Sequence, residues 1–135
     1  MFRHVGIVVN NLELMTKFYE EVIGLAILYN EIEEGPFLEH ILDKKNARAR
    51  IIKLGKNGNT IVELLAFDES TTNDDKSLFK NGLTHFAITV SDIDSMVNKI
   101  GNCLNEPMIS ENGAVKVCFC RDPEKNLIEI VELLF

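Results

Sequence analysis

The sequence predicts an α+β protein made of two copies of one βαβββ module, and three observations lead there. A short phrase occurs twice, as His4-Val5-Gly6-Ile7-Val8-Val9-Asn10-Asn11-Leu12 and as His85-Phe86-Ala87-Ile88-Thr89-Val90-Ser91-Asp92-Ile93. Such self-similarity sets the architecture ahead of any local signal. Each half closes on a matching apolar run, Ile61-Val62-Glu63-Leu64 and Leu127-Ile128-Glu129-Ile130. Between opening and closing, each half carries one stretch of helical period and then runs with strand character.

His4–Val9 is a β-branched run that stops at Asn10-Asn11, so it reads as a strand leading into a helix start. Leu14, Met15, Phe18, Tyr19 and Val22 then recur at helical spacing, and Gly24 suits the helix end. Residues 25–30 read as a strand, whereas Glu31–Asn46 is broken by Gly35-Pro36 and leaves Phe37–Leu42 open between short helix and loop. Ala47–Leu54 and Thr60–Phe67 form a hairpin across Gly55-Lys56-Asn57-Gly58-Asn59. The polar stretch Asp68–Asp75 reads as solvated linker, with a helical turn around Lys76–Lys80. In the second copy, Leu83–Val90 is a strand, Asp92 an N-cap, and Ile93, Met96, Val97 and Ile100 mark a helix by their spacing. Met108–Ile109, Val115–Cys120 and Leu127–Leu133 supply three more strands, the last two joined by the turn Asp122-Pro123-Glu124-Lys125-Asn126. The expected organisation is one domain over 1–135, with module 1–67, linker 68–82 and module 83–135. The copies are offset by 81 residues at the histidines and 66 at the glutamates, so the first carries about fifteen extra residues of loop.

At 135 residues the chain is long enough to bury a core without disulfides. No apolar run approaches the ~20 residues that span a bilayer. A net charge of −7 with scattered basic residues argues against nucleic acid and anionic membranes as partners. The start Met1-Phe2-Arg3-His4 has no signal-peptide layout. Cys103, Cys118 and Cys120 are an odd set without a C-x-x-C pair, which suits free thiols in a reducing compartment, so a cytoplasmic protein is expected. Cys118 and Cys120 share a strand face, and a soft-metal or redox role stands beside their reading as small core residues.

The chemistry lies in the repeat. Strand alternation puts His4, Gly6 and Val8 on one face and His85, Ala87 and Thr89 on its counterpart, with the heavier apolar residues turned to the helix. The histidine face carries small or polar neighbours in both copies, as a cavity lining would. Glu63 and Glu129 sit in otherwise apolar strands, where an unpaired carboxylate is costly. One histidine near a strand start is ordinarily structural, and one strand glutamate ordinarily faces water. All four at equivalent places point to ligands of one divalent metal. Two imidazoles and two carboxylates suit Zn, Ni, Co, Mn or Fe, and leave coordination positions for substrate oxygens. The metal then polarises a carbonyl and stabilises an enediolate, while Glu63 or Glu129 moves a proton between adjacent carbons. His40 has no counterpart in the repeat and reads as surface or pocket lining. Arg48, Arg50 and Arg121 read as solvated, although a one-residue slip of the hairpin would reverse the first two.

These residues resemble the vicinal oxygen chelate superfamily, which includes glyoxalase I, methylmalonyl-CoA epimerase, extradiol dioxygenases, and the fosfomycin and bleomycin resistance proteins. The resemblance spans the chain and rests on the opening His4–Val9 with Asn11-Leu12, Phe18–Leu25, Thr84-His85-Phe86-Ala87, and Asp122-Pro123 to Asn126-Leu127-Ile128-Glu129. It implies paired βαβββ modules whose mixed sheets curl around a cavity, the glyoxalase-like fold, with metal ligands at His4, Glu63, His85 and Glu129. A His, Glu, His, Glu set resembles bacterial glyoxalase I; the epimerases more often place Gln at the Glu63 position. The implied function is a divalent-metal-dependent lyase or isomerase acting on a small α-oxygenated carbonyl compound or thioester. The alternatives are an epimerase-like racemase and a non-catalytic drug- or metabolite-binding protein. Val8 departs from bacterial glyoxalase I, which carries an Arg there for the glutathione carboxylate. The resemblance also implies a homodimer.

Overall fold

A computed structural model describes residues 1–69 and 75–135. The chain divides into two compact units, residues 1–72 and 73–135, a boundary inside the linker expected over 68–82. The solvated stretch expected over Asp68–Asp75 falls mostly outside the described residues.

The first unit runs β1 (Val5–Val8), α1 (Leu12–Lys17), a π-helical turn (Phe18–Val22), β2 (Ala26–Glu34), α2 (Pro36–Leu42), β3 (Arg48–Lys56) and β4 (Asn59–Phe67). Its sheet has the order β1-β4-β3-β2, with β1 parallel to β4 and the remaining pairs antiparallel. Asn11 starts α1 by accepting the Leu14 amide at 3.1 Å, satisfying a donor that the first helical turn leaves unpaired. Gly24, at φ 91°, releases the chain into β2. One sheet face buries Ile7, Val9, Ile52, Leu54, Val62 and Leu64 with Leu12, Met15, Phe18 and Tyr19 of the helical segment. The other face carries a second cluster, in which Leu38 of α2 joins Ala47, Ala49 and Ile51 and packs with Tyr29, Leu65 and Phe67.

The second unit repeats the plan with β5 (His85–Val90), α3 (Ile93–Ile100), β6 (Met108–Ile109), β7 (Val115–Arg121) and β8 (Leu127–Leu133), in the order β5-β8-β7-β6. Asp92 caps α3 through the Ser95 amide at 2.9 Å. From β8, Glu132 Oε2 accepts the Ile93 amide at 2.8 Å, so the start of α3 is tied to the sheet by a second carboxylate. Asp122 is buried, and its carboxylate accepts from the Glu124 and Asn126 amides and from Asn126 Nδ2 at 2.8–3.0 Å. That side chain builds the turn into β8.

The two βαβββ modules form two four-stranded mixed sheets with few helices, as the α+β expectation requires. Three expectations need correction. The ambiguous Glu31–Asn46 region is the end of β2 followed by α2: Glu31–Glu34 pair with Arg48–Ile51, so β3 supplies the hydrogen-bonding edge that β2 lacked in isolation. The extra residues of the first copy are therefore this longer strand and α2 rather than plain loop. Around Lys76–Lys80 there is a turn at Leu78–Phe79 and no helix, with Lys76 Nζ donating to the Glu124 carbonyl at 3.1 Å and to Asn126 Oδ1. Nor are all three cysteines free. Cys103 is bonded to Cys120, while Cys118 is a buried thiol that burial pushes above its ordinary range. Segment 102–104 extends the β7 ladder, with Leu104 N donating to Phe119 O and Arg121 N to Asn102 O, and this sets Cys103 opposite Cys120.

Candidate metal centre

Parallel pairing of the first and last strands builds the same arrangement in each unit. Gly6 lies opposite Glu63 and Ala87 lies opposite Glu129. Each histidine stands two residues before that small residue, on the same face, so its ring leans diagonally over it toward the carboxylate. His4 Nε2 is 3.6 Å from Glu63 Oε2, and His85 Nε2 is 3.4 Å from Glu129 Oε2. Gly6 and Ala87 are small enough to leave that diagonal open. All four side chains are partly exposed.

These separations test whether the donor pairs fit a metal. Two N/O ligands at about 2.0–2.2 Å from one tetrahedral ion are themselves about 3.4 Å apart. Each pair is at that spacing, and an imidazole nitrogen with a carboxylate oxygen is a donor set for Zn, Ni, Co, Mn or Fe(II). The residues present therefore fit, within each unit, as half of a mixed N/O site.

The half-sites differ in what stands across the antiparallel pairing. Lys53 is opposite Glu63, with Nζ 3.8 Å from Oε2 and 4.8 Å from the centre of the Tyr29 ring. Burial, then Glu33, Glu31 and Glu63, push the Tyr29 phenol above its ordinary range, so it stays protonated at neutral pH. In the second unit Phe119 takes the place of Lys53, opposite Glu129, and meets the His85 ring edge-on at 5.0 Å. Thr84 Oγ1 engages His85 Nδ1 at 2.7 Å, which directs Nε2 to Glu129. Sequence reasoning missed Lys53, Tyr29, Thr84 and Phe119. The hairpin held the signal for Lys53, but a register shift between Leu54 and Gly55 moves it by one residue.

The arginines play other parts. Arg48 pairs with Glu34 at 3.2 Å and Asp68 at 3.1 Å, and Arg50 with Glu13 at 3.4 Å. Strand alternation puts them on the face opposite Lys53 and Glu63, in exposed ion pairs of small energetic weight. Arg121 donates to the Lys125 carbonyl at 2.9 Å and to Lys76 O at 3.4 Å, bracing the turn before β8. His40 is exposed in the last turn of α2. Among the described residues, no helix is long and apolar enough to cross a membrane.

Comparison with known proteins bears on the family and the fold. A probable lactoylglutathione lyase of Synechocystis is 27% identical over 135 residues, covering 96% of this chain and 92% of that protein. A lactoylglutathione lyase of Arabidopsis thaliana is 26% identical over 97% of this chain, which spans only 44% of that longer protein. The crystal structure of a glyoxalase family protein from Bacillus cereus superposes with a TM-score of 0.87 at 25% identity, covering 99% of this chain and 94% of that one. The profile of the glyoxalase/bleomycin resistance protein/dioxygenase superfamily matches residues 2–130. With that match over nearly its whole length, and with the doubled βαβββ plan beneath it, the chain belongs to the glyoxalase/bleomycin resistance protein/dioxygenase superfamily.

Proposed function

We propose that the protein is a metal-dependent lyase or isomerase of the glyoxalase kind, with His4, Glu63, His85 and Glu129 as ligands of one divalent ion. The supporting observation is the repeated His/Glu pair, at 3.6 Å in one unit and 3.4 Å in the other, built on the same strand register. A bound ion supplies Lewis-acid polarisation of a substrate carbonyl oxygen. The substrate class is a small α-oxygenated carbonyl compound or thioester. Lys53 and His4 both hold Glu63 Oε2, which fixes that carboxylate as a donor. Glu129 has the apolar Phe119 across from it instead of a cation. We therefore assign to Glu129 the removal of a proton from the carbon beside the carbonyl and its return to the neighbouring carbon. A homodimer and a cytoplasmic location are proposed with it, the first tested by sedimentation of purified protein and the second by cell fractionation.

The test pairs metal content with proton exchange. Metal-loaded protein is assayed in deuterated water against methylglyoxal–thiol adducts and against an acyl-CoA epimer. Glu129→Gln is expected to slow exchange by about 10²–10⁴-fold, the range for loss of a general base, and Glu63→Gln by less. His85→Ala is expected to lose both the ion and turnover. Stoichiometric metal with no exchange in either substrate would return the chain to the binding-protein alternative, and no metal uptake at all removes the proposal.

A further inference from the structure

A second set of donor atoms lies on the helix side of the second sheet, on the face opposite His85 and Glu129. Cys118 and Cys120 project from β7 on that face, paired across to Ile130 and Ile128. Cys103, in the segment after α3, is bonded to Cys120. The sulfur atoms of all three lie within 4.8 Å of one another, and those of Cys118 and Cys120 are 3.9 Å apart. Three thiolates about 2.3 Å from a common ion would be about 3.8–4.0 Å apart. The Cys118–Cys120 side already has that length, and the Cys103–Cys120 side is closed by the disulfide, so reduction must open it before a triangle forms. Cys118 and Cys120 are buried, but Cys103 is only half-buried and lines an open groove of about 800 Å³ with Ser95, Asn98, Asn105 and Glu106. The set therefore has an entrance.

We propose that Cys103, Cys118 and Cys120 form a redox-gated site for a soft, thiophilic cation, separate from the histidine–glutamate centre. A dithiol reductant entering through the groove transfers two electrons and two protons. The Cys103–Cys120 bond breaks, two thiols form, and the reductant becomes a disulfide. The three thiols then bind one ion such as Cu(I), Zn(II) or Cd(II), forming three sulfur–metal bonds and releasing three protons to solvent. In the disulfide state two of the three sulfurs are unable to act as thiolates, so the site is closed. Asn105 O, which accepts from Cys118 Sγ at 3.0 Å, lies in the same groove-lining segment, so filling the site would rearrange the groove wall.

The probe is Cd(II), because its thiolate charge-transfer absorption in the ultraviolet reports sulfur ligands and ignores histidine and glutamate. Full-length protein is expected to show one thiol in denaturant before reduction and three after. The reduced protein, freed of reductant without air, is expected to develop the band to saturation at one equivalent, and the oxidised protein to show none. Cys118→Ser and Cys103→Ser are each expected to weaken Cd(II) binding at least about tenfold. Cys103 is half-buried, so its serine variant decides the matter even where Cys118→Ser disturbs the core. His4→Ala/His85→Ala is expected to keep the band, so failure of the enzymatic reading leaves this one standing. Fully reduced protein without the band, or a Cys103→Ser titration indistinguishable from wild type, overturns it.

Discussion

Lys53 is a charged residue with a single strand position to explain it. Its ammonium is held between the Glu63 carboxylate and the Tyr29 ring, so it orients the carboxylate and keeps a positive charge on the histidine face. Replacing a residue that positions a metal ligand ordinarily costs about 10–100-fold in metal affinity or activity. Lys53→Met, which keeps the length of the stem, is expected to weaken metal binding within that range. Unchanged affinity in a calorimetric titration would show that Lys53 only covers the Tyr29 ring. At this scale the sequence was informative where residues repeat and silent where they do not. His4, Glu63, His85 and Glu129 stood out because each has a counterpart. Lys53 and Phe119 occupy one equivalent position with unlike side chains, so the repeat concealed them. Cys103 was hidden for a different reason: its partner lies 17 residues away across a bridge outside the named strands.

Among the elements, the β3–β4 hairpin decides which side chains face the donors. Asn57 and Gly58, at φ 53° and 77°, form its two-residue turn, which the Asn-Gly pair announces. A regular hairpin from that turn would set Ile52 against Glu63. The irregularity at Gly55 shifts the register so that Lys53 stands there instead, and it turns Arg48 and Arg50 to the opposite face. No pattern in the sequence separates these outcomes, because both leave a plausible alternation. Gly55 itself is demanded by close approach: a Cβ there would lie 1.8 Å from the Asn59 carbonyl oxygen. Gly55→Ala is therefore expected to destabilise the fold by about 1–3 kcal/mol, the ordinary cost of overpacking, read from denaturant midpoints. If the bulge instead relaxes into a regular hairpin, Lys53 leaves Glu63 and metal affinity falls with stability. Gly58→Ala, in the turn, is expected to cost stability without that loss.

For the molecule as a whole, the duplicated plan was legible because helices, strands and donor positions all recur in order. Helix α2 was only half legible, because it has no second copy to be compared with and Phe37–Leu42 stayed open between short helix and loop. Metal linkage also belongs to this scale. An ion held only by the folded state at a hundred times its dissociation constant stabilises it by about 2.7 kcal/mol. Stripping the ion with a chelator is accordingly expected to lower the Tm by roughly 10 °C. An unchanged Tm in protein known to have carried metal would mean that the ion contributes nothing to folding.

The helix α2 has a consequence for how such a protein diversifies. Its seven residues, Pro36–Leu42, lie over one end of the sheet face that bears Glu63, and among the described residues the second half has no counterpart. Only Leu38 among them is buried. A duplicated ancestor leaves each descendant half free to elaborate on its own, and here the elaboration packs on the face that bears Glu63 while supplying none of the proposed donors. Randomising the exposed positions of α2 is therefore expected to leave metal uptake by the proposed centre unchanged, because none of its donors lies there.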